Sequence, residues 1–107
     1  MTHRENFYRK HGIPLDKSLS LTAIAKLAGV PLKALQEVKK RGEGAWGNNL
    51  ASVRLVDTYA KNPNTTAFPR SARLSKNQWA FARVYSFLDK GEDYYTADAD
   101  IAKQYGI

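Results

Sequence analysis

The chain of 107 residues carries 17 Lys and Arg against ten Asp and Glu, a formal net charge of +7. This length favours a single domain, and an apolar fraction of 43% is enough for one modest core. The absence of cysteine excludes a disulfide framework and thiolate chemistry. No apolar run approaches the roughly 18 residues that a membrane-spanning helix needs.

The charge is unevenly distributed along the chain. Residues 1–87 hold 15 basic and five acidic side chains, a balance of +10, whereas residues 88–107 hold two basic and five acidic ones, a balance of −3. A strongly basic body favours contact with polyanions such as nucleic acid. The acidic segment 88–107 is expected either to screen that body or to pack against it.

A first helix is predicted at the start of the chain. Thr2 and Glu5 have the spacing of a capping box, in which a hydroxyl and a carboxylate satisfy amides at the helix start. Gly12 indicates the end of this helix. The aromatic side chains of Phe7 and Tyr8 are expected to pack inward.

Residues 20–41 match the helix-turn-helix pattern. Ser20 is placed to cap a helix over Leu21–Ala28, and Gly29 can take the positive φ of a turn without a Cβ penalty. Pro31 opens the next helix at its first position, where the missing amide costs nothing. The same spacing also stabilises an ordinary pair of packed helices, so the pattern alone leaves both interpretations open.

The middle of the chain is predicted to be less regular. The third helix should end near Arg41, because Gly42 begins a turn-rich segment that runs to Asn49. Leu50–Ala60 is ambiguous and is assigned as a short helix. Lys61–Leu74 is predicted to be a loop from its Pro, Asn and Thr content.

Two further helices are predicted in the last third of the chain. Ser75 and Gln78 form a second capping box, and Gly91 is expected to end the helix that they begin. A terminal helix is expected over Ala97–Tyr105. The apolar spacing of the longer helix predicts a buried stripe of Phe81, Val84, Tyr85 and Leu88. The predicted fold class is mainly α, a small single-domain helical bundle of about five helices that contains a helix-turn-helix.

Exposed positions near the start of the third helix are the candidates for contact with DNA bases, because the second helix of a helix-turn-helix enters the major groove. Lys33 can pair with guanine and Gln36 with adenine. Leu32 and Glu37 suit such contacts poorly, which argues for binding led by phosphate contacts over tight sequence recognition. The same helix carries two further candidate cations, Lys40 and Arg41.

A second basic cluster lies downstream and is predicted to form an anion clamp. Its members are Arg54, Arg70, Arg73, Lys76 and Arg83. The loop that carries Arg70 and Arg73 leads into a helix N-terminus, where free amides and the helix dipole also attract anions. Arg83 lies one turn after Trp79, so its guanidinium can stack on the indole. The alternative is that these arginines bridge loops to helix ends and that Trp79 belongs to the core.

Enzymatic activity is not expected. There is no cysteine and no glycine-rich phosphate loop, and His3 and His11 fall in one predicted helix without a plausible triad. The acidic residues with the ligand type for a divalent cation are Glu92, Asp93, Asp98 and Asp100. A solvated acidic turn and helix start explains them more simply, so no metal and no cofactor is assigned.

Several segments together resemble a small family of uncharacterised proteins and domains from large DNA viruses of algae and from bacteriophages. The segments are FYRKHGIP, AIAKLAGVPLKALQEVKKRGEGAW, SVR, PRSARLSKNQWAFARVYSF and DIAKQYGI. The resemblance covers nearly the whole chain, and its most specific block is Ser75–Phe87, preceded by Arg70 and Arg73. It implies a viral origin but no activity and no binding residues.

Two classes of function follow from the sequence. The first is a non-catalytic protein that binds duplex DNA through the helix-turn-helix and the arginine-rich cluster, in regulation or in genome packaging. The second is a minor structural virion protein, in which the helix pair and the arginines contact other virion proteins. Either protein is expected in the virion or in the cytoplasm or nucleus of the host cell, without a membrane partner.

Overall fold

Helices dominate the structure, a computed structural model that describes residues 2–56, 58, 60 and 62–107. The α-helices are α1 (His3–Lys10), α2 (Leu21–Ala28), α3 (Leu32–Asn48), α4 (Lys76–Leu88), α5 (Glu92–Tyr95) and α6 (Ala99–Tyr105). Short 3-10 helices cover Leu50–Ser52 and Arg70–Ala72. Among the described residues, β structure is limited to one isolated bridge. The predicted mainly α fold is confirmed.

Three of the predicted helix starts are confirmed by side-chain hydrogen bonds, and at the first of them the Thr2 half of the predicted capping box is the one found among the described residues. The hydroxyl groups of Thr2 and Ser20 each accept from the backbone amide three residues later, at 3.2 Å in both cases. Ser75 and Gln78 form a complete capping box at the start of α4. Each of these bonds satisfies an amide that has no partner within its own helix.

The turn between α2 and α3 has the predicted geometry. Gly29 adopts a left-handed conformation with φ of 68°, and the amide of Val30 bonds back to the carbonyl of Ala25 at 3.1 Å. Pro31 is the N-cap of α3, whereas it was predicted to be the first helical residue. The helix therefore begins one residue later than predicted, at Leu32. Helices α2 and α3 therefore form a helix-turn-helix.

The third helix is longer than predicted, and its expected end near Arg41 is wrong. It continues through Gly42 and ends at Asn48. Gly42 is buried where α3 crosses α4, and a Cβ placed on it would lie 3.0 Å from the Cα of Ala80. Glycine occurs here because two helix backbones approach closely, so it does not mark a turn.

The predicted helix over Leu50–Ala60 is also wrong. A single 3-10 turn covers Leu50–Ser52, and the chain is extended at Val53. Asp57 and Tyr59 of the predicted helix lie outside the described residues.

We call residues 53–74 the arm, of which residues 53–56, 58, 60 and 62–74 are described. Its two ends pair through an antiparallel bridge between Leu55 and Arg73, with backbone hydrogen bonds of 3.0 and 3.1 Å on either side. Val53 and Leu55 are both buried and Arg54 between them is exposed. This alternation suits an extended chain, because side chains of a strand point to opposite faces in turn.

The end of α4 lies three residues before the glycine that was predicted to terminate it. Leu88 is the last helical residue, and Lys90 takes a left-handed φ of 53° that turns the chain out of the helix. A Cβ on Gly91 would lie 2.7 Å from Ser86 Oγ and 2.8 Å from the ring of His3. A side chain on Gly91 would therefore require Ser86 or His3 to move, which favours glycine where the end of α4 meets α1.

The acidic C-terminal segment packs against the basic body. After the single turn of α5, α6 begins at Ala99, two residues later than predicted, and contacts α3. The Tyr94 hydroxyl donates to the carbonyl of Ile107 at 2.7 Å and ties the last residue to α5. Of the two expected arrangements for segment 88–107, packing is the one found.

The core is formed by residues of α1, α2, α3, α4 and α6. Its buried members are Phe7, Tyr8, Ile24, Ala25, Ala34, Leu35, Val38, Val84, Tyr85, Phe87, Ile101 and Ala102. The inward packing of Phe7 and Tyr8 is confirmed. In the predicted stripe of α4, Val84 and Tyr85 are buried, whereas Phe81 and Leu88 are only partly buried at the edge of the core.

Two glycines of α3 test the close crossing of α3 and α4. Alanine in place of a helical glycine gains about 0.5–1 kcal/mol of helix stability, and a methyl group on Gly44 would meet no packed neighbour within 4 Å. Gly44→Ala should therefore stabilise the protein by about that amount. Gly42→Ala must separate α3 from α4 and should be at least about 1 kcal/mol less stable than Gly44→Ala. Urea denaturation measures both, and equal gains would contradict the crossing.

Candidate nucleic-acid interface

The solvent side of α3 carries three of the residues that the sequence assigns to DNA contact. Lys33, Gln36 and Lys40 are exposed and lie on one face of the helix, because they are three and four residues apart. The buried residues of the opposite side, each 0% exposed, are Ala34, Leu35 and Val38. Neither lysine forms an ion pair with a described residue. We call these three side chains the α3 face.

Leu32 and Glu37 flank the α3 face but interact with the protein itself. Leu32 packs partly against the core. The carboxylate of Glu37 accepts from the hydroxyl of Tyr105 on α6, at the long distance of 3.4 Å. Their presence near the start of α3 therefore has a structural explanation.

Arg41 is engaged by the acidic segment and does not extend the α3 face. Its Nη1 and Nη2 donate to the two carboxylate oxygens of Asp100, both at 2.7 Å, and Nη1 also donates to the carbonyl of Ala97 at 2.9 Å. These hydrogen bonds lower the pKa of Asp100 to about 2 and raise the pKa of Arg41. The assignment of Arg41 to the interface is corrected, because its charge is already compensated.

Arg83 forms a bidentate pair with a buried carboxylate. Asp98 is 0% exposed and accepts from Nε of Arg83 at 3.0 Å and from Nη2 at 2.9 Å. The expected stack of Arg83 on Trp79 does not occur among the described cation–ring contacts. Arg83 is therefore a structural residue, and its assignment to DNA contact is also corrected.

Arg73 lies inside the arm. The sequence had instead placed it on a loop, where it would contact anions. The side chain is 4% exposed. Its guanidinium donates to four backbone carbonyls, those of Phe68 at 2.7 Å, Val53 at 2.7 Å, Asn62 at 2.6 Å and Asn64 at 3.3 Å. Arg73 holds the arm together and cannot reach a phosphate, so the alternative of an arginine that bridges loops applies to it.

Arg70 of the predicted clamp faces solvent while its guanidinium is held against Trp46 of α3. The side chain is exposed, its Cζ lies 4.0 Å from the centre of the Trp46 ring, and Nη1 donates to the carbonyl of Trp46 at 3.2 Å. Lys76, in the first turn of α4, and Arg54, on the arm, are exposed as well. The predicted five-residue clamp is thus reduced to three exposed cations.

The role of Trp46 is not evident from the sequence pattern. When Gly42 is taken as a turn, Trp46 falls in an irregular segment; when Gly42 is helical, Trp46 lies one turn later on the same side of α3. Its Nε1 donates to the carbonyl of Leu74 at 3.0 Å and joins α3 to the base of the arm. The sequence prediction ended α3 at Gly42 and therefore did not place Trp46 on this helix.

Metal and membrane sites find no support among the described residues. No group of three or more His, Cys, Asp or Glu residues is arranged to hold a metal ion there. The side chains of Glu92 and Asp93, from the acidic turn considered above, lie outside the described part. No described helix has the length and apolar character to cross a bilayer.

Comparison of the chain with protein-family models, with curated proteins and with solved structures gives no match.

Single substitutions of Arg73 and Arg70 should separate the internal arginine from the external one. Arg73→Ala leaves carbonyls of the arm without a donor, and a buried unsatisfied polar group costs about 1–3 kcal/mol, so the loss should exceed about 2 kcal/mol. Arg70→Ala removes an exposed side chain and should change stability by less than about 1 kcal/mol. Urea unfolding measures both variants. Similar losses would contradict the assigned positions of the two residues.

The pair of Arg41 and Asp100 makes stability depend on pH in acid. The pKa of Asp100 is about 2 in the folded protein and about 3.9 in an unfolded chain, so the ionised carboxylate favours folding. This contribution is fully present above about pH 4 and is lost as the pH falls towards 2. Asp100→Asn should lower the melting temperature at pH 6, and the difference from the wild type should disappear near pH 2. A difference that stays constant over this range would contradict the pairing.

Proposed function

We propose that the protein is a non-catalytic, duplex DNA-binding protein that places the α3 face in the major groove. One observation carries the proposal: Lys33, Gln36 and Lys40 extend together from the second helix of a helix-turn-helix. That helix enters the major groove in DNA-binding proteins with this motif. The chemistry of the three side chains suits contact with phosphates and with the edges of guanine and adenine.

The proposed binding depends mainly on phosphate contacts. Lysine contacts phosphate as a flexible point charge and without the bidentate geometry of arginine. Gln36 can bond bidentately to adenine, and the lysines can also donate to guanine. Modest sequence preference and strong salt dependence follow from this composition.

A second candidate is a structural role in a virion through contact with other proteins. Leu27 on α2 is 42% exposed and Leu15 is 44% exposed. In a DNA complex, α2 would cross the sugar–phosphate backbone, where an exposed leucine gains little. Against an apolar protein surface, the same side chains would be buried favourably.

Titration of short duplexes by fluorescence anisotropy at about 50 to 300 mM salt tests DNA binding. If about five phosphates are neutralised, log K should fall with log salt with a slope of about −4 to −5. The double variant Lys33→Ala/Lys40→Ala should make this slope less negative by about 1.8, since each phosphate contact contributes about 0.9.

Lys10→Ala/Lys103→Ala is the matched control, because it removes the same charge from exposed lysines on α1 and α6. The control should change the slope by less than the α3 variant does. Equal effects would contradict the α3 face as the contact. Absence of binding by the wild type at about 50 mM salt would contradict the whole proposal and favour the protein-contact role.

A further inference from the structure

We infer that Arg70, stacked on Trp46, is a preorganised phosphate contact at the C-terminal end of α3. The inference rests on the proposed function and adds to the α3 face a second, chemically different contact with the same DNA.

The position of the Arg70 guanidinium is fixed relative to α3. Its Cζ lies 4.0 Å from the centre of the Trp46 ring, and its Nη1 donates to the Trp46 carbonyl at 3.2 Å. Trp46 is itself held, because its Nε1 donates to the carbonyl of Leu74 at 3.0 Å. Stacking and hydrogen bonding together restrain a side chain that would otherwise lose much rotamer freedom on binding.

The guanidinium is restrained without a carboxylate. Arg70 forms no ion pair with a described residue, whereas Arg41 and Arg83 are paired with Asp100 and Asp98. Its Nε and Nη2 have no hydrogen-bond partner among the described residues. Two N–H donors of one guanidinium edge match two phosphate oxygens, which is the bidentate arrangement that arginine forms best.

The loop that precedes Arg70 in the chain is internally hydrogen bonded and carries no acidic residue over residues 63–67. Residues 63–67 are exposed and have the sequence PNTTA. The Asn64 side chain accepts from the amides of Thr66 and Ala67 at 3.1 and 3.0 Å, and Arg73 holds the carbonyls of this loop from inside. Residues 63–67 therefore add small polar groups and no negative charge to the segment that carries Arg70.

The location of Trp46 indicates which part of the DNA Arg70 contacts. Trp46 follows Lys33 by thirteen positions within α3, which is about 20 Å along the axis, whereas the major groove is about 12 Å wide. Trp46 also lies about a third of a turn round the helix from Lys40. Arg70 therefore contacts the backbone that borders the groove, and the α3 face contacts the groove itself.

Salt titration of Arg70 variants on the full chain tests the inference. Arg70→Ala should weaken duplex binding about eightfold at about 0.1 M salt and make the salt slope less negative by about 0.9, the contribution of one phosphate. Arg70→Lys keeps the charge but loses the bidentate edge, so it should bind with intermediate affinity. Lys103→Ala is the control for the loss of one charge, and circular dichroism verifies that each variant is folded.

The outcomes separate this inference from the proposed function. If Arg70→Ala and Arg70→Lys bind as Lys103→Ala does, while Lys33→Ala/Lys40→Ala binds weakly, the Arg70 contact is refuted and the α3 face stands. If the wild type does not bind duplex DNA at about 50 mM salt, both are refuted. An eightfold loss in Arg70→Ala together with an intermediate Arg70→Lys supports the contact.

Discussion

The close crossing of α3 and α4 at Gly42 determines what the rest of the molecule can present to solvent. The absence of a side chain at Gly42 lets the backbone of α3 approach Ala80 of α4, and helices that approach so closely bury a continuous side of each other. One side of α3 is thereby committed to the core over its whole length. The α3 face lies on the side that remains outside, so the second helix of the helix-turn-helix presents these side chains to solvent.

Internal ion pairs engage two of the arginines that the sequence assigns to DNA contact. Asp98 and Asp100 of the acidic segment bind Arg83 and Arg41. The buried pair of Arg83 and Asp98 is matched in geometry, which offsets part of the cost of removing both charges from water. A chain with a net charge of +7 therefore directs fewer arginines to solvent than its sequence implies. The cations that remain for a partner are mainly lysines and Arg70.

The arm shows how one buried arginine can prepare another for binding. Arg73 satisfies carbonyls from three parts of the arm, and a guanidinium with five fixed donors is well suited to such a role. These bonds join separate described parts of the arm, which has little regular secondary structure. Arg70, three residues earlier, then lies on Trp46 in one position, which lowers the entropy that binding would cost. The two arginines have the same charge and neighbouring positions but different functions.

The sequence by itself determined the features that depend on neighbouring residues. The caps at Thr2, Ser20 and Ser75 were predicted correctly because each hydroxyl bonds to an amide three residues away. The positive φ of Gly29 was predicted for the same local reason, and so was the outward position of Lys33, Gln36 and Lys40. The caps and the turn involve residues within one helical turn of each other, and the exposed face of α3 repeats every three or four residues. Their geometry therefore follows from the spacing of the residues.

Tertiary structure alone decided the features that depend on distant residues. Gly42 and Gly91 resemble helix stops in the sequence, since glycine serves equally in a turn and in a close contact. The atoms that would meet a Cβ on Gly42 belong to α4, and those near Gly91 include the ring of His3 on α1. The carboxylate that binds Arg41 is 59 residues away, and the one that binds Arg83 is 15 residues away. Whether an arginine faces solvent or an internal acceptor is set by the fold that brings these groups together, because each free guanidinium has the same local chemistry.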